Sequence, residues 1–374
     1  MRDRPAENLP GTHRSTHRFS FVDGLRGLAA LGVAALHVTG GAATEISPTA
    51  SAVVGCGYYG VLVFFVISGF VIAHSLSRTE MTTAAATRFL LRRVARLDPP
   101  YWASMALVVI VLGASVVVLP GKVFELPSPG LLLAHLLYLQ YILGMESLCG
   151  VYWTLCLELQ FYVLLALLIG LAQRAARTSS ERVAFALVFG PPLAASFLFA
   201  CHFVALPRGA CFAQWYAFAA GVAASRVVAG RGYAALVVAA AVALAVAVIT
   251  RTGDGLVVAG TAGAIALAHR TRRLDRWLAG PTVQYLGRIS YSLYLVHVPI
   301  GFRLSNLLNH VVPASPPMHV ATAVIGLLAA IAAADVFWRL VERPSLELSR
   351  WLGARLAAPT AFDGRPSPLG GPGD

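Results

Sequence analysis

Apolar residues fill ten long stretches of the chain, at about 27–45, 53–76, 101–119, 151–171, 183–204, 211–225, 232–250, 255–268, 289–309 and 319–341. Short polar segments rich in arginine separate them. Roughly 20 apolar residues in a helix cross the hydrocarbon core of a bilayer. The pattern therefore predicts an all-α polytopic membrane protein with about ten transmembrane helices. Two runs are weaker: 255–268 is short, and Leu131–Gly144 is short and interrupted by His135 and Gln140.

Arginine placement decides how to read Leu131–Gly144. With the N-terminus in the cytoplasm and ten spans, Arg88, Arg92, Arg93 and Arg96 are cytoplasmic, as are the clusters near residues 174–182, 226–231 and 270–276. Only Lys122, Arg208, Arg251 and Arg303 then face outward. One further span at 131–144 would invert everything downstream and violate the bias of basic residues toward the cytoplasm. The segment therefore reads as re-entrant or interfacial, and both termini as cytoplasmic; a second additional span would restore the parity and raise the count to eleven or twelve. Residues 1–20 are expected to be a polar cytoplasmic lead-in without a cleavable signal, 21–345 the membrane domain, and 346–374 a Pro/Gly-rich disordered tail.

Ionisable groups inside apolar runs are costly and mark functional positions. Arg26 and His37 lie in the first run. Eleven residues turn a helix slightly past three full turns and rise about 16 Å, so the two share a face, with Arg26 at one surface and His37 near the middle. A neutral imidazole there can act as a general base toward a hydroxyl; the competing reading is a histidine that only bonds a neighbouring helix. Arg88, Arg92 and Arg96 recur every fourth residue and form one stripe, suited either to phosphate or to lipid headgroups. Pro99 and Pro100 are expected to break that helix. Glu158 lies about 10 Å into its own run, and Ser290, Tyr294 and His297 form one polar face at i, i+4 and i+7. The depths of His37, Glu158 and His297 converge near the midplane.

Composition agrees with a membrane protein: 57% hydrophobic and 12% charged residues, against roughly 25% charged in soluble domains. The net charge of +12 is accounted for by cytoplasmic loops, so no nucleic-acid partner is implied, and nothing implies a protein partner. The five cysteines form no CxxC pair, and no metal site is expected. A single lysine, Lys122, amid abundant Ala, Gly and Arg suggests a GC-rich bacterial source. No internal repeat supports a transporter built on inverted repeats.

Taken together, several segments resemble the membrane acyltransferase-3 family of O-acyltransferases acting on surface glycans, nodulation factors and macrolides. They are Asp23-Gly-Leu-Arg26 with His37, Phe64-Phe65-Val-Ile-Ser68-Gly69-Phe70, Arg92-Arg93-Val-Ala-Arg96-Leu-Asp-Pro-Pro-Tyr101-Trp102, Trp153-Thr-Leu-Cys-Leu-Glu158-Leu-Gln-Phe161-Tyr162, Ile289 to Pro299, and Val341-Glu342-Arg343-Pro344. The resemblance spans roughly residues 21–344, with Thr154 where the family usually has Ser, and does not extend to the extracytoplasmic hydrolase-like domain of some members. It implies an inner-membrane enzyme using acyl-CoA, by default acetyl-CoA, as co-substrate, with no permanently bound cofactor. His37, Arg26 and Glu158 would be catalytic, and Arg88, Arg92, Arg93 and Arg96 would hold coenzyme A. Asp23, Ser68, Tyr101, Trp153, Tyr294 and His297 would surround a carbohydrate or macrolide acceptor. The competing class is a transporter or flippase with His37 and Glu158 as a proton relay.

Overall fold

The computed structural model describes residues 19–118, 125–205 and 209–356. The lead-in before Phe19, the tail beyond Leu356, Lys122 and Arg208 lie outside the described residues. No strand occurs among those described, and the helices follow the apolar runs: α1 (Ser20–Ile46), α2 (Pro48–Leu76), α3 (Thr83–Val118), α4 (Pro129–Leu136), α5 (Trp153–Ala175), α6 (Glu181–Ala200), α7 (Trp215–Val228), α8 (Ala234–Thr250) and α9 (Asp254–Arg270). Then follow α10 (Pro281–Val296), α11 (Arg303–Asn309), α12 (Pro316–Phe337) and α13 (Arg343–Arg355). Six stretches, α1, α2, α3, α5, α6 and the continuous Pro316–Arg355, are long and apolar enough to cross a membrane. This is an all-helical, multi-pass membrane protein. The weak run at 131–144 contains only the eight-residue α4, about 12 Å long and too short to cross a bilayer.

One expectation about helix boundaries fails. Pro99 and Pro100 sit inside α3, which runs unbroken from the arginine-rich segment at 88–96 into the apolar run that follows. Proline removes backbone donors and normally costs a helix about 3 kcal/mol, but in membrane helices neighbouring side chains re-satisfy the freed groups. Here hydroxyls from two other segments bond the residues just before the prolines, Tyr291 OH donating to Leu97 O at 3.0 Å and Tyr138 OH to Asp98 Oδ1 at 2.9 Å. These contacts hold α3 in place but do not replace the donors that the carbonyls of Ala95 and Arg96 lose. Pro299 and Pro344 act differently. Each lies in or just after a π-helical segment (His297–Phe302 and Trp338–Glu342) through which its helix continues. The helix α13 also occupies most of the start of the expected tail, and Ser349 Oγ donates to Arg92 O at 2.7 Å to hold it against α3.

The pairing that builds the site is α1 with α10. Gln284 Nε2 donates to Ser20 O at 2.8 Å, Arg26 Nη2 to Gly287 O at 2.9 Å, and His37 meets His297 at 3.2 Å. Partners advance together along both chains, so the helices run parallel. Their crossing is as close as backbones allow. A Cβ on Gly27 would overlap Gly287 N and lie 2.7 Å from Leu286 C, and one on Gly287 would lie 2.9 Å from Asp23 C. Only glycine fits on either side. Behind this pair, an aromatic core ties α2, α5 and α7 together through Phe161 stacked on Phe218 at 3.9 Å and Phe65 against Phe218 at 4.5 Å.

Candidate active site

A cavity of about 840 Å³, open to solvent, lies between α1, α2, α3, α5 and α10. Arg26, Arg93 and Arg96 bring three guanidiniums to its wall, and Glu158, Ser68, Thr154, Tyr162 and Tyr291 are among its other polar lining residues. Arg26 is set by the glycine crossing: besides Gly287 O, it lies 3.6 Å from Asp23 Oδ1 one turn back. Arg93 lies over the ring of Tyr162 (5.4 Å) and that of Phe89 (5.7 Å), contacts that hold a guanidinium without consuming its N–H donors. Both Ser68 Oγ, at 2.9 Å, and Tyr162 OH donate to Glu158 Oε1. The cavity thus has a basic side suited to phosphate and a carboxylate held by two hydroxyls.

Only part of the arginine stripe reaches this cavity. Arg93 and Arg96, three residues apart, face it, whereas Arg92 points toward α13, where a Cβ on Gly353 would lie 2.8 Å from Arg92 Nε. Arg88 is half-buried and outside the lining.

The two histidines lie beyond the far wall. Tyr294 lines the cavity, with Phe64 beside it at 5.7 Å between ring centroids; the His297 ring is 5.9 Å behind Tyr294 and the His37 ring 5.1 Å from His297. Their hydrogen bonds assign the protons. His37 Nδ1 is 2.9 Å from Val33 O, and His297 Nδ1 is 3.0 Å from Leu293 O. A carbonyl oxygen only accepts, so both Nδ1 atoms carry hydrogen. His297 Nε2, 3.2 Å from His37 Nδ1, is then the acceptor, and His37 shares one N–H between Val33 O and His297. Two donors facing each other at that distance would repel, so this arrangement keeps His297 neutral. His297 is fully buried, whereas His37 is exposed, and its Nε2 keeps a free lone pair. His37 thus has one ring nitrogen anchored and the other without a hydrogen-bond partner among the described residues.

Sequence spacing anticipated part of this site. Arg26 and His37 do share a face of α1, and Ser290, Tyr294 and His297 do face inward from α10, with Ser290 and Tyr294 on the cavity and His297 on His37. Glu158 is brought to Ser68 and Tyr162 rather than to His37. Tyr101 and Trp153 are not part of the cavity lining. Tyr101 is buried with its hydroxyl 3.0 Å from His135 Nδ1, and its ring stacks on Tyr138 at 4.7 Å. His135 Nε2 accepts from Leu148 N at 3.1 Å, and burial pushes this imidazole below its usual range, so it is neutral and donates to Tyr101 from Nδ1. Trp153 flanks Phe65 and lines a second cavity of about 760 Å³ with Tyr58 and Asp254. Four residues were not anticipated: Thr154, Tyr162, Tyr291 and the buried Glu342, whose Oε2 accepts from Ser292 N at 3.1 Å and Ser292 Oγ at 2.6 Å. Tyr162 stands four residues after Glu158, a spacing that could have signalled it; the others are joined only by the fold.

A family model described as an acyltransferase domain matches residues 19–339, covering α1 to α12. The chain belongs to the acyltransferase-3 family. The arginine-lined cavity and the histidine pair are therefore features of a membrane acyltransferase. No curated protein and no solved structure matches this acyltransferase significantly.

Proposed function

We propose that the protein is an acyl-CoA-dependent O-acyltransferase of the inner membrane, transferring an acyl group, by default acetyl, to a hydroxyl of a carbohydrate or macrolide. The observation that carries the reading is the pairing of a three-arginine cavity with a histidine whose Nε2 is free. In this reading ten passages cross the bilayer with both termini cytoplasmic. The parallel course of α1 and α10 supports that count, because it needs an odd number of crossings between them, and α2, α3 and α5–α9 supply seven if α4 does not cross.

Coenzyme A docks with its phosphates on Arg26, Arg93 and Arg96, and its acyl-pantetheine arm runs toward Phe64 and Tyr294. The distance along α1 from Arg26 to His37, about 16 Å, matches the reach of that arm. His37 Nε2 takes the proton of the acceptor hydroxyl as its oxygen attacks the thioester carbonyl. The tetrahedral intermediate collapses with cleavage of the C–S bond, and the thiolate recovers the proton from the His37 imidazolium. His297 and Val33 O steady that imidazolium through the shared Nδ1–H. Tyr294, whose hydroxyl donates to Val151 O at 3.0 Å and lies 2.7 Å from Thr154 Oγ1, meets the oxyanion by turning its O–H from that carbonyl. Glu158, bonded to Ser68 and Tyr162, has no direct contact through which to relay protons to His37, which weighs against transport.

The test is transfer from radiolabelled acetyl-CoA in isolated membranes, wild type against His37→Ala. Label in a glycan or small-molecule product with wild type alone supports the reading. Retention of most activity by the variant removes His37 from the base role.

A further inference from the structure

Away from the active site, α6 is flanked by two apolar clefts that share one basic mouth. One, about 720 Å³, lies against α2 and α5; the other, about 1130 Å³, lies against α7 and α8. Phe185 and Phe189, stacked at 4.4 Å, form the ridge between them, and Arg226 and Arg231 line both. The larger cleft has small walls at Ala223 and Ala235 and extends along α6 from Phe185 to Leu193, about 12 Å of helix.

The mouth carries unspent positive charge. Arg226 Nη1 and Arg231 Nε both reach the same oxygen, Glu181 Oε1, each at 3.2 Å. Arg226 also lies 3.9 Å over the ring of Phe185, at the top of the ridge. Arg182 lines the larger cleft, and among the described residues no ion pair engages it. Two guanidiniums thus share one carboxylate, and Arg182 adds a third guanidinium at the larger cleft. Each carries five N–H donors in a fork that fits phosphate, so most of the donors at the mouth are uncommitted.

Two apolar clefts under a single phosphate-sized basic mouth have the shape of a two-chain amphiphile. The geometry points to a built site for one anionic diacyl phospholipid: its phosphate on Arg182, Arg226 and Arg231, and one acyl chain on each side of the Phe185–Phe189 ridge. Basic residues at the membrane surface draw anionic headgroups electrostatically, and here the clefts add a fixed seat for the chains. The site is separate from the arginine cavity and does not depend on the acyltransferase reading.

The test is native mass spectrometry of the purified full-length protein in mixed micelles with phosphatidylglycerol or phosphatidylcholine of identical chains. One phosphatidylglycerol per protein is expected, retained at least tenfold over phosphatidylcholine. The double substitution Arg182→Gln, Arg231→Gln should abolish that preference. Ala235→Phe, which fills the larger cleft and leaves every charge in place, should lose the diacyl lipid yet keep lysophosphatidylglycerol. Equal retention of the two lipids by wild type, or a preference untouched by the arginine substitutions, overturns the proposal. So does displacement of phosphatidylglycerol by equimolar palmitoyl-CoA, which would reassign the mouth to a single-chain acyl donor.

Discussion

Replacing Gly27 with alanine tests whether the α1–α10 crossing positions the chemistry. The added methyl would overlap Gly287 N and sit 2.7 Å from Leu286 C, whereas ordinary carbon contacts begin at 3.4 Å. The obstacle is backbone, so no rotamer relieves it, and the helices must part by at least about 0.7 Å. Overpacking of this kind costs about 1–3 kcal/mol, which a multi-pass bundle tolerates. The site does not tolerate it as well. A separation of that size would stretch the 3.2 Å contact between His37 and His297 to about 3.9 Å, past hydrogen-bond range, and loosen Arg26 from Gly287 O. Misplacing a catalytic group by about 1 Å can slow a reaction about 100-fold. In the labelled acetyl-CoA assay, turnover should therefore fall by roughly one to two orders of magnitude, with normal amounts of protein in the membrane. Gly41→Ala is the control, on the same helix with no atom within 4 Å of the new methyl, and should leave the rate unchanged. Gly27→Ala activity within twofold of wild type would refute the argument that backbone contact sets the histidine pair.

Two further substitutions separate binding from chemistry. Arg93→Gln with Arg96→Gln should raise the acyl-CoA KM at least tenfold with kcat largely kept, since each charged hydrogen bond is worth roughly 1.5–3 kcal/mol; Arg92→Gln, turned toward α13, should change KM less than threefold, and equal effects would mean the stripe acts as a unit. His297→Ala should lower kcat at least tenfold with the acyl-CoA KM unchanged, whereas His297→Gln, whose amide oxygen can still accept from His37 Nδ1, should recover part of the loss; identical rates for the two variants would deny His297 a positioning role.

Much of the architecture was legible along the chain because lipid imposes a one-dimensional rule: a spanning helix must be apolar for its whole length, and no other backbone is tolerated. The ten apolar runs and the shared face of Arg26 and His37 follow from that rule and from the helical period, and the re-entrant or interfacial reading of 131–144 followed from the placement of arginines. The proline pair did not follow, because whether Pro99 and Pro100 stop α3 depends on the packing around it, where Tyr291 and Tyr138 reach Leu97 and Asp98 from segments distant in sequence. Which arginines serve the cavity was equally hidden. Residues 88, 92, 93 and 96 offer both a four-residue and a three-residue row, and only the docking of α13 over Arg92 leaves Arg93 and Arg96 for the cavity. Equal depth in the bilayer likewise suggested that His37, Glu158 and His297 meet, but depth fixes one coordinate of three. The glycine crossing of Gly27 and Gly287 brings together His37 and His297, 260 residues apart, while the packing of α5 against α2 gives Glu158 to Ser68. Residue order was enough to say which segments form apolar helices and which helix faces are polar. Lateral neighbours, and with them the partner of the base, depend on the close packing of backbones in three dimensions, which no one-dimensional pattern encodes.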